Sequence, residues 1–182
     1  MRAMILGLCL AACAAAAAPA RGDGKEGKAR PDFSGTWELD HARSSRGGSR
    51  SVWKNPATLV IEHRGEELRI KRTLELGGGR RETKEFTYYT DGRGEVNPMA
   101  LGAGRSGTKT KWEGARVVSY AYYGATKGFG GDLSDTAFKW RLSDDGRTLT
   151  HTIQSSVRPS VGGGSVADTI NSETKLVFRR VG

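Results

Sequence analysis

Leu68, Ile70, Leu74 and Leu76 alternate with Arg69, Lys71, Thr73 and Glu75, and this two-residue period is the feature that most narrows the fold. Successive side chains on a strand point to opposite faces, so the stretch is a strand with one buried face. Arg72 is the one exception on its apolar side. The same period recurs in Leu59-Ile61, in Phe86-Tyr88, in Phe138-Trp140-Leu142 against Lys139 and Arg141, in Leu149-Ile153 and in Leu176-Phe178. Beyond the N-terminal stretch, no window of a dozen residues reads as a helix. Turn signals separate the runs: Arg64-Gly65-Glu66, Gly77-Gly78-Gly79, Asp91-Gly92, Glu113-Gly114 and Asp144-Asp145-Gly146. Glycine there supplies the positive φ that tight hairpins require, and consecutive hairpins make a meander.

The pattern places strands near 35–39, 57–63, 67–76, 80–90, 107–112, 115–123, 136–142, 147–157 and 168–180. A meander of this many strands must deal with its edges, and in one small domain closure removes them. The expected fold is therefore all-β, a single antiparallel up-and-down barrel of about 8–10 strands. Gly/Ser/Arg-rich connections run from Arg43 to Pro56 and from Asn97 to Gly107, with two more at Gly124 to Ser134 and Arg158 to Ala167.

The N-terminus reads as an address. Met1-Arg2 is a small positive region and Ile5 to Ala18 is apolar without a charge, the pattern of an export signal over residues 1–20. The run is shorter than the roughly 20 apolar residues a membrane helix needs. Leu10-Ala11-Ala12-Cys13 resembles a bacterial lipobox, which makes Cys13 a candidate lipidation site and a route to membrane attachment; the alternative is cleavage after Ala18-Pro19-Ala20. Cys9 and Cys13 are the only cysteines, so the domain beyond the signal relies on a core rather than on a disulfide. Residues 21–32 carry no large apolar side chain and read as a flexible tether, leaving 33–182 as one folded unit. The location expected is periplasm or cell envelope, lipid-anchored, or otherwise secreted.

The net charge of +9 raises the question of nucleic acid. Counted by segment, the excess is spread thin, and Arg64 to Glu85 interleaves bases with acids. A nucleic-acid surface clusters Lys and Arg on one face, so no nucleic-acid partner is expected; solvated strand faces and weak attraction to anionic envelope surfaces fit better. Gly102-Ala103-Gly104-Arg105-Ser106-Gly107 is a literal G-x-G-x-x-G, but it lacks the preceding strand and following helix of a dinucleotide site. Gly124 to Gly131 has glycines and a lysine without Walker spacing and reads as a loop, with Phe129 a candidate lid side chain. His41, His63 and His151 stand apart with no metal-ligand spacing, although separate strands could gather them and one imidazole could ligate a haem. His151 shares the parity of Leu149 and Ile153. Asp144 and Asp145 read as hairpin residues, and no G-x-S-x-G elbow appears. No metal or cofactor is expected.

Phe33-Ser34-Gly35-Thr36-Trp37-Glu38-Leu39-Asp40 resembles the opening of bacterial lipocalin-like domains of unknown function, and Tyr89 to Gly92, Lys111 to Gly114, Leu142 to Leu149 and Lys175 to Phe178 are similar to that group's hairpins. The resemblance covers nearly the whole chain after the signal. It implies a lipocalin-like barrel in which Gly35 and Trp37 open the first strand, Trp37 plugs one end, and Arg179 or Arg180 from the last strand stacks across it. Avidin-like barrels share the Gly-x-Trp start, but no residue set here matches a biotin site.

Aromatic side chains crowd the strands. Their ordinary role is core packing; the alternative is to line a partly apolar cavity, with Tyr hydroxyls orienting a ligand's polar end. Tyr88, Tyr123, Phe138, Trp140 and His151 are the candidate lining, and Ser119 and Ala121 are small enough to leave room for a guest. The leading reading is an exported, non-catalytic binding protein for a small hydrophobic or amphipathic ligand. The runner-up is a cell-envelope interaction module with a filled barrel, and an enzyme comes third because no catalytic constellation emerges.

Overall fold

The computed structural model describes residues 30–45, 52–98, 105–123, 133–158 and 170–181. The expected export signal with Cys13, the expected tether up to residue 29, and residues 46–51, 99–104, 124–132 (with Phe129) and 159–169 lie outside the described residues. Ten strands form one antiparallel sheet: β1 Gly35–Leu39, β2 Ala57–Arg64, β3 Glu67–Leu76, β4 Arg80–Tyr89, β5 Glu95–Pro98, β6 Arg105–Glu113, β7 Arg116–Tyr123, β8 Leu133–Leu142, β9 Thr148–Arg158 and β10 Ile170–Val181. A single 3₁₀ turn at Val52–Lys54 lies between β1 and β2.

The order is β4-β3-β2-β1-β10-β9-β8-β7-β6-β5, an up-and-down barrel whose first and last strands pair. Thr36 faces Val181 and Leu39 faces Phe178 across that junction. The ends of the ladder are therefore β4 and β5, neighbours in sequence. Side chains close that seam: Thr87 N–H donates to Asn97 Oδ1 and Asn97 Nδ2 donates to Thr87 O, both at 2.8 Å. Tyr89 N–H donates to Glu95 Oε2 at 3.3 Å, while the hydroxyls of Thr108 and Thr110 each donate to Glu95 Oε1 at 2.6 Å.

β5 falls partly in what the pattern marks as a connection beginning at Asn97. Its alternation is inverted, with Val96 57% exposed and Asn97 buried, and it ends in Pro98, a residue confined to sheet edges because it cannot donate to a ladder. Residues 105–107 of the G-x-G-x-x-G stretch lie in β6.

Inside, Phe33, Trp37, Leu59, Leu68, Leu74, Val117, Leu149, Leu176 and Phe178 are almost wholly buried. Trp37 marks one end of this core, its Nε1 donating to Phe33 O at 3.1 Å. The Arg180 guanidinium lies 4.4 Å from the Trp37 ring centroid, with Nη1 donating to Ser34 O at 2.8 Å and Nε to Gly146 O at 2.9 Å. Arg179 points outward and pairs with Glu38 at 2.9 Å. Gly35 has φ +140°, and a Cβ there would sit 2.7 Å from Arg180 Nη1. Backbone conformation and close approach both demand glycine. Residues 30–32, expected as the end of the tether, lie against this end: Arg30 pairs with Glu66 at 2.9 Å and covers Trp112.

Candidate functional site

The alternation of β3 carries Arg72 inward with Ile70 and Leu74, and only 3% of its surface remains exposed. Its register neighbours are Leu59 on β2 and Lys84 on β4. The guanidinium lies 5.4 Å from the ring centroid of Trp53, in the 3₁₀ turn, and 5.3 Å from that of Phe86. Nη2 is 3.5 Å from Glu82 Oε1, a half-exposed carboxylate that Lys84 also approaches at 3.4 Å. Burial, opposed in part by Glu82, lowers the pKa of Arg72 from its usual value, yet a guanidinium stays charged at neutral pH. Aromatic faces and one carboxylate offset part of the desolvation cost of this interior cation.

Trp53 connects Arg72 to the other wall, its ring meeting His151 edge-on at 6.4 Å. His151 on β9 faces Trp140 on β8 across the ladder, and their rings stack with centroids 3.5 Å apart and 10° between planes. His151 is 4% exposed. Among the described residues, neither of its ring nitrogens nor Trp140 Nε1 has a hydrogen-bond partner. Burial first, and the Arg72 charge second, push the imidazole down to about 3. His151 is thus neutral, offering one donor and one acceptor nitrogen to the interior. No carboxylate or hydroxyl among the described residues bonds to its ring to orient it as a general base.

These groups enclose a cavity of about 40 Å³. Its apolar walls come from Trp53, Leu59, Ile70, Phe86, Tyr88, Phe138, Trp140 and Ile153, and its polar groups from Arg72, His151, Asn97, Ser106 and Thr108. The space suits about one or two waters. A larger guest requires a side chain to move, and Trp53, carried on one 3₁₀ turn rather than on a strand, is the wall group with least ladder support. A wider groove of about 650 Å³, lined by Tyr120, Gln154, Asn171 and Glu173 among others, is more open and more polar.

Of the residues proposed from sequence as cavity lining, Tyr88, Phe138, Trp140 and His151 line this space. Ser119 and Ala121 do not: both are buried, Ser119 in register with Thr110 and Phe138, and Ala121 lines the wider groove instead. The side chain of Tyr123 lies outside the described residues. Among the lining groups not legible as site residues in the sequence are Trp53, which sits in a non-periodic connection, Asn97, and Arg72, whose break in the β3 alternation is the available signal. No three of the described His, Cys, Asp and Glu residues gather as a metal site.

No protein-family model matches the sequence, and no curated protein matches it. Among solved structures, the barrel is similar to apo lipid binding protein 8 of Caenorhabditis elegans, with a TM-score of 0.53 and 14% identity over 82% of this chain and 95% of that one. The fold is a calycin-type barrel. Other similar structures are a Schistosoma mansoni fatty acid binding protein in complex with arachidonic acid (TM-score 0.49, 11% identity, 82% of this chain and 96% of that one) and a zebrafish ileal bile acid-binding protein complexed with cholic acid (TM-score 0.47, 14% identity, 82% and 98%). In this calycin-type barrel the interior charge rests on β3 and the neutral imidazole on β9.

Proposed function

We propose that the protein is an exported, non-catalytic binding protein that holds a small amphipathic molecule inside the barrel. Its polar end meets Arg72, His151 and the Trp140 N–H, and its apolar body lies against Trp53, Phe86 and Phe138. The observation that carries this reading is the set of buried polar atoms of His151 and Trp140 without a hydrogen-bond partner among the described residues, beside a buried cation. Each such atom costs about 1–3 kcal/mol when unsatisfied, and a polar guest supplies what the walls do not. An anionic head is favoured by the buried charge of Arg72, whose partner Glu82 is half-exposed and shared with Lys84. Apolar walls joined to a few convergent polar groups are the usual make-up of small-molecule sites.

The small cavity volume favours a second reading, a filled barrel that serves as an envelope interaction module. Tryptophan fluorescence titrations with two matched pairs, dodecanoate against dodecanol and indole-3-acetate against tryptophol, separate the two. Saturable binding that prefers an acid over its alcohol, and loses that preference in Arg72→Met, supports the carrier. Unchanged emission with all four probes supports the filled module.

A further inference from the structure

We propose that the outer face of β6, β7 and β8 is a docking surface for an anionic lipid bilayer. Strand parity gathers there charges that are scattered in sequence. Lys109 and Lys111 on β6, Arg116 on β7, and Lys139 and Arg141 on β8 all point away from the core, since the residues next to them along each strand, Thr110, Val117 and Trp140, are buried on the opposite face. Register sets them side by side: Lys111, Val118 and Lys139 form one row across the three strands, and Glu113, Arg116 and Arg141 the next. Glu113 is the one carboxylate on this face among the described side chains, and it is taken up by Lys111 at 3.2 Å and Arg116 at 3.0 Å. No described carboxylate lies within ion-pair distance of Lys109, Lys139 or Arg141.

The outer face of β2, β3 and β4 is the internal comparison, with the same number of strands and no excess. Its cations Arg64, Arg69 and Arg81 pair with Glu62, Glu67 and Glu75, and Lys71 faces Glu85 in register. Among the described strands, positive charge is therefore distributed unevenly around the barrel. Neighbouring strands are about 4.8 Å apart, so the basic face is about 10 Å wide between β6 and β8, broad enough for several headgroups at once.

The chemistry of the face selects the occupant. Sheet surfaces that bind single-stranded nucleic acid offer exposed aromatic rings for base stacking. Here the central aromatic residue is Tyr120, half-buried, with its hydroxyl donating to Glu113 at 3.0 Å and Lys111 over its ring at 5.5 Å. What the described side chains leave available is positive charge without an exposed stacking platform, beside a shallow depression lined by Lys109, Lys111 and Tyr120, which matches a fluid anionic surface. The attraction needs no guest inside the barrel and no lipid on Cys13.

The test is vesicle co-sedimentation of the full chain with phosphatidylcholine vesicles and with vesicles containing phosphatidylglycerol, at about 0.1 M salt. The N-terminal apolar stretch contributes to both partitions, so the readout is the anionic-over-neutral ratio. A β6–β8 variant carrying Lys109→Gln, Lys111→Gln, Arg116→Gln and Lys139→Gln is expected to lower that ratio about 600-fold, each basic residue near such a surface being worth a factor of about five. A variant carrying Arg64→Gln, Arg69→Gln, Lys71→Gln and Arg81→Gln makes the same change in net charge and is expected to keep the wild-type ratio within a few-fold. Glu113→Gln alone is expected to raise it about fivefold, a gain that misfolding cannot imitate. Equal loss in both quadruple variants would show that total charge rather than this face matters and would overturn the proposal. So would a wild-type ratio near one, or displacement from the vesicles by oligo-dT at matched phosphate concentration.

Discussion

Asn97 closes the barrel by using its side-chain amide as a peptide group, accepting from the N–H and donating to the carbonyl of Thr87 at 2.8 Å each. The closure lies where β4 and β5, neighbours in sequence, fail to share a ladder. It is therefore a local lock on a sheet held elsewhere by continuous pairing. Asn97→Ala removes both bonds and leaves buried backbone groups to find new partners, so a loss of about 1–3 kcal/mol in urea unfolding is expected. Asn97→Asp is expected to do no better, since a carboxylate cannot donate to Thr87 O and shares Thr108 with Glu95. Amide exchange should accelerate at Thr87 and Tyr89 while the β2–β3 ladder stays protected. Uniform acceleration across both ladders would mean that the seam is no separate unit.

At the opposite closure, Gly35 and Arg180 fit only together. Gly35→Ala adds backbone strain at φ +140° and a contact 2.7 Å from Nη1, which pushes the guanidinium off Trp37. The expected cost is about 2–4 kcal/mol. In an Arg180→Ala background only the backbone part remains, about 1–3 kcal/mol. The double-mutant cycle should therefore show coupling of about 0.5–2 kcal/mol. Strict additivity of the two changes would show that Arg180 plays no part in the demand for glycine.

The barrel was legible because burial on one face leaves a period-two record, as in β3 from Leu68 to Leu76. The record fails where a strand inverts it, as β5 does by exposing Val96 and burying Asn97. The site was only half legible for a related reason. Tyr88, Phe138, Trp140 and His151 carry inward parity on their own strands, but the meaning of Arg72 depends on Trp53 and Phe86, brought to it from elements distant in sequence. Ser119 shows the converse, since inward parity says nothing about whether neighbours fill the space. Charge behaves alike: Lys111 and Lys139 belong to different segments of the chain, and only strand register puts them in one row.

Arg72 invites a direct comparison of stability with binding. A buried charge is expensive to desolvate, and replacing one with an apolar side chain of similar volume is often neutral or stabilising by about 1–4 kcal/mol. Arg72→Met is therefore expected to unfold at the same or a higher urea concentration while losing the preference for acids over alcohols. A residue retained against the stability of its own fold is one with a task in binding. A destabilisation of 3 kcal/mol or so instead would place Arg72 among the structural ion pairs, with Glu82 as its reason for being there.

His151 ties the same interior to pH. Its folded pKa is pushed down to about 3 from 6.5, so between those values the unfolded chain binds a proton that the folded one refuses. Stability from this residue is complete above pH 6.5 and falls with pH, by about 1.4 kcal/mol per unit, until the folded value is reached. Between pH 7 and pH 4.5 the loss is about 2–3 kcal/mol. His151→Phe keeps an aromatic ring against Trp140 and removes the titration. In urea unfolding across this range, wild type is expected to lose that much relative to the variant, over and above what the carboxylates take from both. Parallel curves would show that the imidazole gains a proton without unfolding the barrel, and hence that the interior admits water and charge at acid pH.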